Sequence, residues 1–269
     1  MKSLPSLKPL KQMVWIATWR KASYNVVTIN NRDCIMKLSD LFTALSYGEL
    51  RQLYIGNNGQ GIRPEDYPQV IFQLNAGLAL LHSRFPLLEK QVIVQQLENI
   101  ATYYLRTEFL VSNKQSTQKY KYLIDSVDHP FTQDIIRVES VYDECGCPLF
   151  LNDEPHCNSI MCPSFDSIQV IAPIESNALF VTYRANHPII PTDTTDLDIE
   201  IRIPVSHQKA LTYFIASQFY SNSPNQETSA KGIEWTQRYE AECKRIEDLD
   251  LNNQYIGQTN TKPERRGWV

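Results

Sequence analysis

The sequence predicts an α+β fold in which N- and C-terminal helix pairs form a four-helix bundle, with an antiparallel β-rich module inserted between the pairs and an extended C-terminal tail. Three observations carry this reading. Apolar residues recur every three or four positions in residues 38–81 and again in 210–249, as on helices with one buried face. Between them lie short runs of β-branched and aromatic residues, separated by polar turn residues. The end of the chain, NNQYIGQTNTKPERRGWV over 252–269, follows neither period. Two amphipathic helices at each end of a β insertion cannot cover their stripes alone, so the pairs are expected to pack together.

Leu38, Leu41, Phe42 and Leu45 follow the i, i+3, i+4, i+7 rule and define the first helix, with Ser39 or Asp40 as its cap. Ser46 and Glu49 have capping-box spacing, which predicts a restart that buries Leu50, Leu53 and Tyr54 and stops at Gly56. Pro64, Glu65 and Asp66 suit a second helix start, and Tyr67, Val70, Ile71, Leu74, Leu78 and Leu81 form its stripe up to Pro86. Six segments then read as strands: QVIVQQL, TYYLRTEFLV, DIIRVESVY, SIQVIAPI, ALFVTYRA and LDIEIRI. Helical spacing returns with Ala210, Leu211, Phe214 and Ile215, and a final helix places Trp235, Tyr239, Cys243, Ile246 and Leu249 on one face. The expected divisions are a basic extension 1–35, a helical pair 36–87, a β-rich insertion 88–203, a helical pair 204–250 and a tail 251–269.

Charge is unevenly placed. Residues 1–35 carry six cations against Asp33 alone, a net of +5, which leaves −9 on residues 36–269. The basic segment reads either as an arm for nucleic acid or an acidic partner, or as sequence upstream of a translation start at Met36. An acidic main body argues against phosphate binding as the main source of affinity. Glycine supplies only 9 of the 269 residues, about half the usual share, which leaves little for phosphate-cradling loops. No apolar run reaches the roughly 18 residues of a membrane span, and none forms a secretory core. The chain is therefore expected to be intracellular at synthesis, with no membrane partner.

Catalytic motifs are absent from the text: no Walker loop, GxSxG elbow, HExxH or strand–GxGxxG–helix arrangement. Gly56, Gly59 and Gly61 precede a helix but lack a lysine and a preceding strand, so they read as a helix–helix turn. His82, His129, His156, His187 and His207 show no local pairing that defines a catalytic base. No catalytic residue and no cofactor are expected. Cys145, Cys147, Cys157 and Cys162 cluster near His156, and three readings stand: a structural zinc site, a disulfide, or reduced thiols at the tip of the β insertion. The CxC spacing fits one metal less well than CxxC. The terminal Lys262, Glu264, Arg265, Arg266, Gly267, Trp268 and Val269 combine flexible reach with Arg and Trp anchors, the composition of a docking peptide.

Four segments carry a resemblance. IPVSHQKALTYFIASQFYSN followed by EWTQRYEAECKRIEDL is similar to the closing helix pair of phage head-to-tail adaptors. MKLSDLFTALSYGELRQLYIG, ALFVTYRANHP and the terminal ERRGWV resemble the adaptor, or collar connector, of N4-like short-tailed phages. The resemblance spans residues 36–269, and residues 1–35 and the cysteine-rich tip depart from it. It implies a virion structural protein in the neck, assembled in the host cytoplasm as a dodecameric ring under the portal. Portal protein, a tail nozzle or tube, and fibres are the implied partners. Genomic DNA would pass through the channel without sequence-specific binding, and residues 262–269 would bind the portal. The rival classes are another tail component, such as a β-rich receptor-binding or fibre-attachment module, and a small metal-dependent enzyme.

Overall fold

The structure is a computed structural model that describes residues 35–125, 130–153, 159–175, 177–222 and 226–249. Among these residues the fold is mixed α/β, with three antiparallel sheets, and its helices do not form the core of a four-helix bundle. Strand β1 (Ile35–Lys37) leads into α1 (Leu38–Tyr47). After a turn region, α2 spans Tyr67–Arg84. Strands β2 (Glu89–Gln95), β3 (Thr102–Tyr104), β4 (Leu123–Ile124), β5 (Ile135–Tyr142), β6 (Pro148–Leu149), β7 (Ile160–Ser164), β8 (Ser167–Val170), β9 (Ala178–Ala185) and β10 (Glu200–Arg202) follow. Helices α3 (Val205–Ser221) and α4 (Gln226–Asp248) close the described chain.

The bundle expectation fails for two physical reasons. Helix α1 has only ten residues, about 15 Å of length, too short to run beside the others. Helix α3 is buried nearly all round: His207, Ala210, Leu211, Thr212, Phe214, Ile215, Ala216, Ser217 and Tyr220 are all buried, so it serves as a hub and not as one stave of four. Phe214 shows the hub directly. Its ring lies 5.7 Å from that of Tyr239 on α4, and its Cδ1 stands 2.8 Å from where a Cβ on Gly77 of α2 would be. Gly77 thus permits α2 to approach α3 closely, and Gly232 does the same for α4, where a Cβ would meet the Ser221 amide nitrogen at 2.7 Å.

Leu41, Leu74 and Phe214 share this helical core, and Trp235 packs half-buried at its margin. The first helical amides find partners outside the helix: Leu38 donates to Ile199 O and Ser39 to Leu197 O, both at 3.0 Å. Asp40 sits at the third helical position and accepts from the Lys37 amide. The predicted restart at Ser46 is replaced by turns. Ser46 is a buried clip whose Oγ donates to Gly56 O and accepts from Gly61 N, both at 2.9 Å. Tyr54 is 78% exposed and Leu249 56% exposed, against the expectation that both are buried.

A second core belongs to the β-rich region. The five-stranded sheet runs β4-β2-β9-β5-β6 and the three-stranded sheet β3-β8-β7, both antiparallel. Val92, Val94, Val141, Val181 and Tyr183 from the first sheet share a core with Tyr103, Ile160, Ile168 and Val170 from the second. The cores change over between Leu87 and Leu88 and again between Ala185 and Ile190. Residues 190–203, expected in the β insertion, therefore pack with the helices, where β10 pairs with β1 through Met36↔Ile201.

Candidate functional site

An open cleft of about 330 Å³ lies where the end of α1 meets the α3–α4 hairpin. Its wall is aromatic. Trp235 lies 6.2 Å from Tyr220 between ring centroids, with Tyr213 packed against it at 5.4 Å outside the cleft, and Tyr47 lines the cleft exposed. Arg51, Lys231 and Arg238 supply cations around the rim, against Glu49 and Glu234. Arg238 pairs with Glu234 and lies 4.6 Å over Trp235, whereas Lys231 donates to Gln52 at 3.3 Å and Glu49 accepts from Thr212 at 3.3 Å. Local sequence explains the placement. Gly48 ends α1 and turns the chain, so that Glu49 and Arg51 face the hairpin. Tyr220 then fixes the turn by donating to Glu49 O at 3.1 Å. The cleft sets charges of both signs beside aromatic rings, and its lining contains neither Cys nor His.

The cysteine cluster is only partly brought together. Cys145 and Cys147 lie exposed in the β5–β6 hairpin turn, where Gly146 takes φ +78° and Asp143 Oδ1 accepts from the Cys145 and Cys147 amides at 2.9 and 2.8 Å. Cys162 is half-buried on β7, and burial raises its thiol above the ordinary range. Cys157 lies outside the described residues, as do His156 and the docking-peptide residues Lys262, Glu264, Arg265, Arg266, Gly267, Trp268 and Val269. Among the described residues, no group of three or more His, Cys, Asp or Glu could hold a metal ion. Cys145, Cys147 and Cys162 do not form such a group by themselves, and the zinc, disulfide and reduced-thiol readings all involve Cys157 or His156 outside the described residues.

Sequence reasoning missed a histidine cluster. His82 on α2, His187 after β9 and His207 on α3 are all buried where the two cores meet. Helical phase was the available signal: His82 falls four residues after Leu78, and His207 three and four residues before Ala210 and Leu211, on the same buried stripes. Arg184 was missed as well. It is buried, donates to Ser83 O at 2.9 Å and pairs with Glu139 at 2.7 Å, tying α2 to the sheet.

Comparison with protein-family models finds no match, and comparison with curated proteins finds none. Among the described residues, no helix is long and apolar enough to cross a membrane.

Proposed function

We propose that this chain is a virion head-to-tail adaptor, a ring-forming structural protein that joins the portal to the tail and lines part of the DNA channel. One observation carries the reading: four adaptor-like segments, 36–56, 178–188, 203–249 and 264–269, occur in the expected order along one chain. The geometry is compatible with it. Arg84 joins α2 to α4 through Glu240 and Glu247, each at 2.7 Å. The β-rich region carries exposed Phe150, Phe165, Ile171 and Ile174, apolar surface suited to a tail component. An acidic body lining a channel would repel DNA and let it slide. The role is structural, with no catalytic step assigned to any residue.

The test is negative-stain imaging of the purified chain mixed with its portal. Rings docked under the portal are expected. Deleting residues 263–269 should leave the far-ultraviolet circular dichroism unchanged and abolish co-sedimentation with the portal. Portal capture by the truncated chain at full-length affinity would remove the tail as anchor, and failure of the full chain to form rings or bind portal would remove the adaptor reading.

A further inference from the structure

Three histidines from elements far apart in sequence close the seam between the helical and β cores. The rings of His82 and His187 meet edge to face, with centroids 5.7 Å apart. His207 packs edge-on against Phe85 at 4.8 Å, three residues beyond His82. His82 Nδ1 faces Ala185 O at 3.2 Å, and His187 Nδ1 faces Pro188 O at 2.6 Å. A carbonyl only accepts, so in both rings Nδ1 carries the proton and Nε2 is the bare nitrogen. His82 Nε2 is buried without a hydrogen-bond partner, so a proton added there would be left in a dry site.

The surroundings offer no relief for that charge. His207 and Arg202 act on the pair with the same sign, and Arg184 from β9 crosses the seam beside them. Of the carboxylates beside the seam, Glu89 on β2, opposite Arg184 in the ladder, is exposed, and Glu139 on β5 binds Arg184 at 2.7 Å and Arg137 at 2.6 Å. Asp134 binds Lys90 on β2 at 2.6 Å and accepts from the Tyr183 hydroxyl at 3.4 Å. The same seam holds the sheet to α2 through the His82–Ala185 contact and Arg184 on Ser83 O.

We propose that this cluster is an acid-operated latch: with its rings neutral it holds the β-rich region against the helices, and on protonation it releases the seam while each core stays folded. Burial pushes His82 down from 6.5 to about 4, and burial lowers His187 as well. An opened seam returns the rings to water and to their ordinary value, so the open state binds protons that the closed state refuses. From about pH 6.5 down to about pH 4, His82 raises the open fraction by up to about tenfold per pH unit, and His187, lowered in the same direction, adds to that rise.

Hydrogen–deuterium exchange of the full chain at about pH 7.5 and about pH 5, corrected for intrinsic exchange, reads this directly. Protection of segments 80–90 and 183–190 should fall about tenfold or more, while 92–95 and 208–218 keep theirs. In the double variant His82→Asn with His187→Asn, the amide nitrogens can replace the Nδ1 donors but cannot titrate, and the seam should stay closed at both values. Should the double variant not fold, His187→Asn alone should weaken the pH dependence of seam protection. A wild-type seam indifferent to pH, an equal fall in the folded variant, or simultaneous loss in both cores would overturn the latch.

Discussion

The helical region and the β-rich region are held together by different means. Most side chains buried among the helices are aliphatic and spaced by the helical period; Leu38, Leu41 and Leu45 on α1 and Leu74, Leu78 and Leu81 on α2 are examples. In the β-rich region the buried set includes Tyr103, Tyr122, Tyr183, Gln96, Asp166, Ser167 and Arg184, tied by specific polar contacts between distant segments. Leu105 N reaches Asp166 O at 2.7 Å, and Arg106 pairs with the Asp166 carboxylate at 2.8 Å, which holds that carboxyl below the usual range. The contrast teaches that the helices are stabilised mainly by area removed from water, which tolerates small changes of shape, whereas the sheets add to their own apolar core more hydrogen-bonded groups that become costly when one partner is lost.

The largest effect is expected where apolar volume is removed from the helical side. Phe85 is 1% exposed and fills the space beside His207. Phe85→Ala should cost roughly 3–5 kcal/mol through lost burial and the cavity left behind. Denaturant titration followed by hydrogen exchange in both regions gives the number and its location. A cost below about 1 kcal/mol would mean that the helical core closes over the gap and that area does not govern its stability.

The same contrast explains what was legible in the sequence. The α1 and α2 stripes could be read because helical period and burial coincide on helices with one buried face. The role of α3 could not: KALTYFIASQFY is buried on nearly every side, and periodicity says helix without saying hub. TYYLRTEFLV reads as one strand, yet β3 ends at Tyr104 and Thr107–Phe109 forms a 3-10 turn, because the polar pair Arg106–Asp166 replaces further ladder pairing. Strands β4 and β6 have two residues each, too few to leave a period. Of the candidate sites, the cleft and the histidine seam depend on which elements become neighbours, a long-range fact that local spacing does not encode.

A smaller and more local effect should come from Tyr122. Its hydroxyl accepts from Tyr104 N at 2.8 Å and donates to Tyr104 O at 3.1 Å, and its ring stacks on Phe109 at 4.9 Å. Burial pushes the phenol pKa upward, so the hydroxyl remains a donor across the physiological range. Tyr122→Phe keeps the stack and leaves both Tyr104 backbone groups without that partner, at a cost of about 1–3 kcal/mol. Loss of protection confined to 103–123 would fit the contrast between regions. A neutral result would place the stability of the sheets in their packing and dissolve the distinction.

The smallest effect is expected at Arg84, a polar tie on the helical side. Its guanidinium joins Glu240 and Glu247 of α4 at 2.7 Å each, but all three side chains are partly open to water. Exposure weakens the attraction and salt screens it, so Arg84→Met should cost only about 0.5–1 kcal/mol, with less lost at high salt. The pairing holds the Glu247 carboxyl below 4.5, its ordinary value. A depressed carboxyl contributes above its unfolded value and loses that contribution as pH falls through the folded one, so wild type and variant should converge in acid. Thermal unfolding of both at low and high salt tests the size, and a pH series tests the sign. If Arg84→Met instead cost more than about 2 kcal/mol and resisted salt, the helices would depend on a discrete polar tie as the sheets do. The aliphatic stripes would then position α4 without being what holds it.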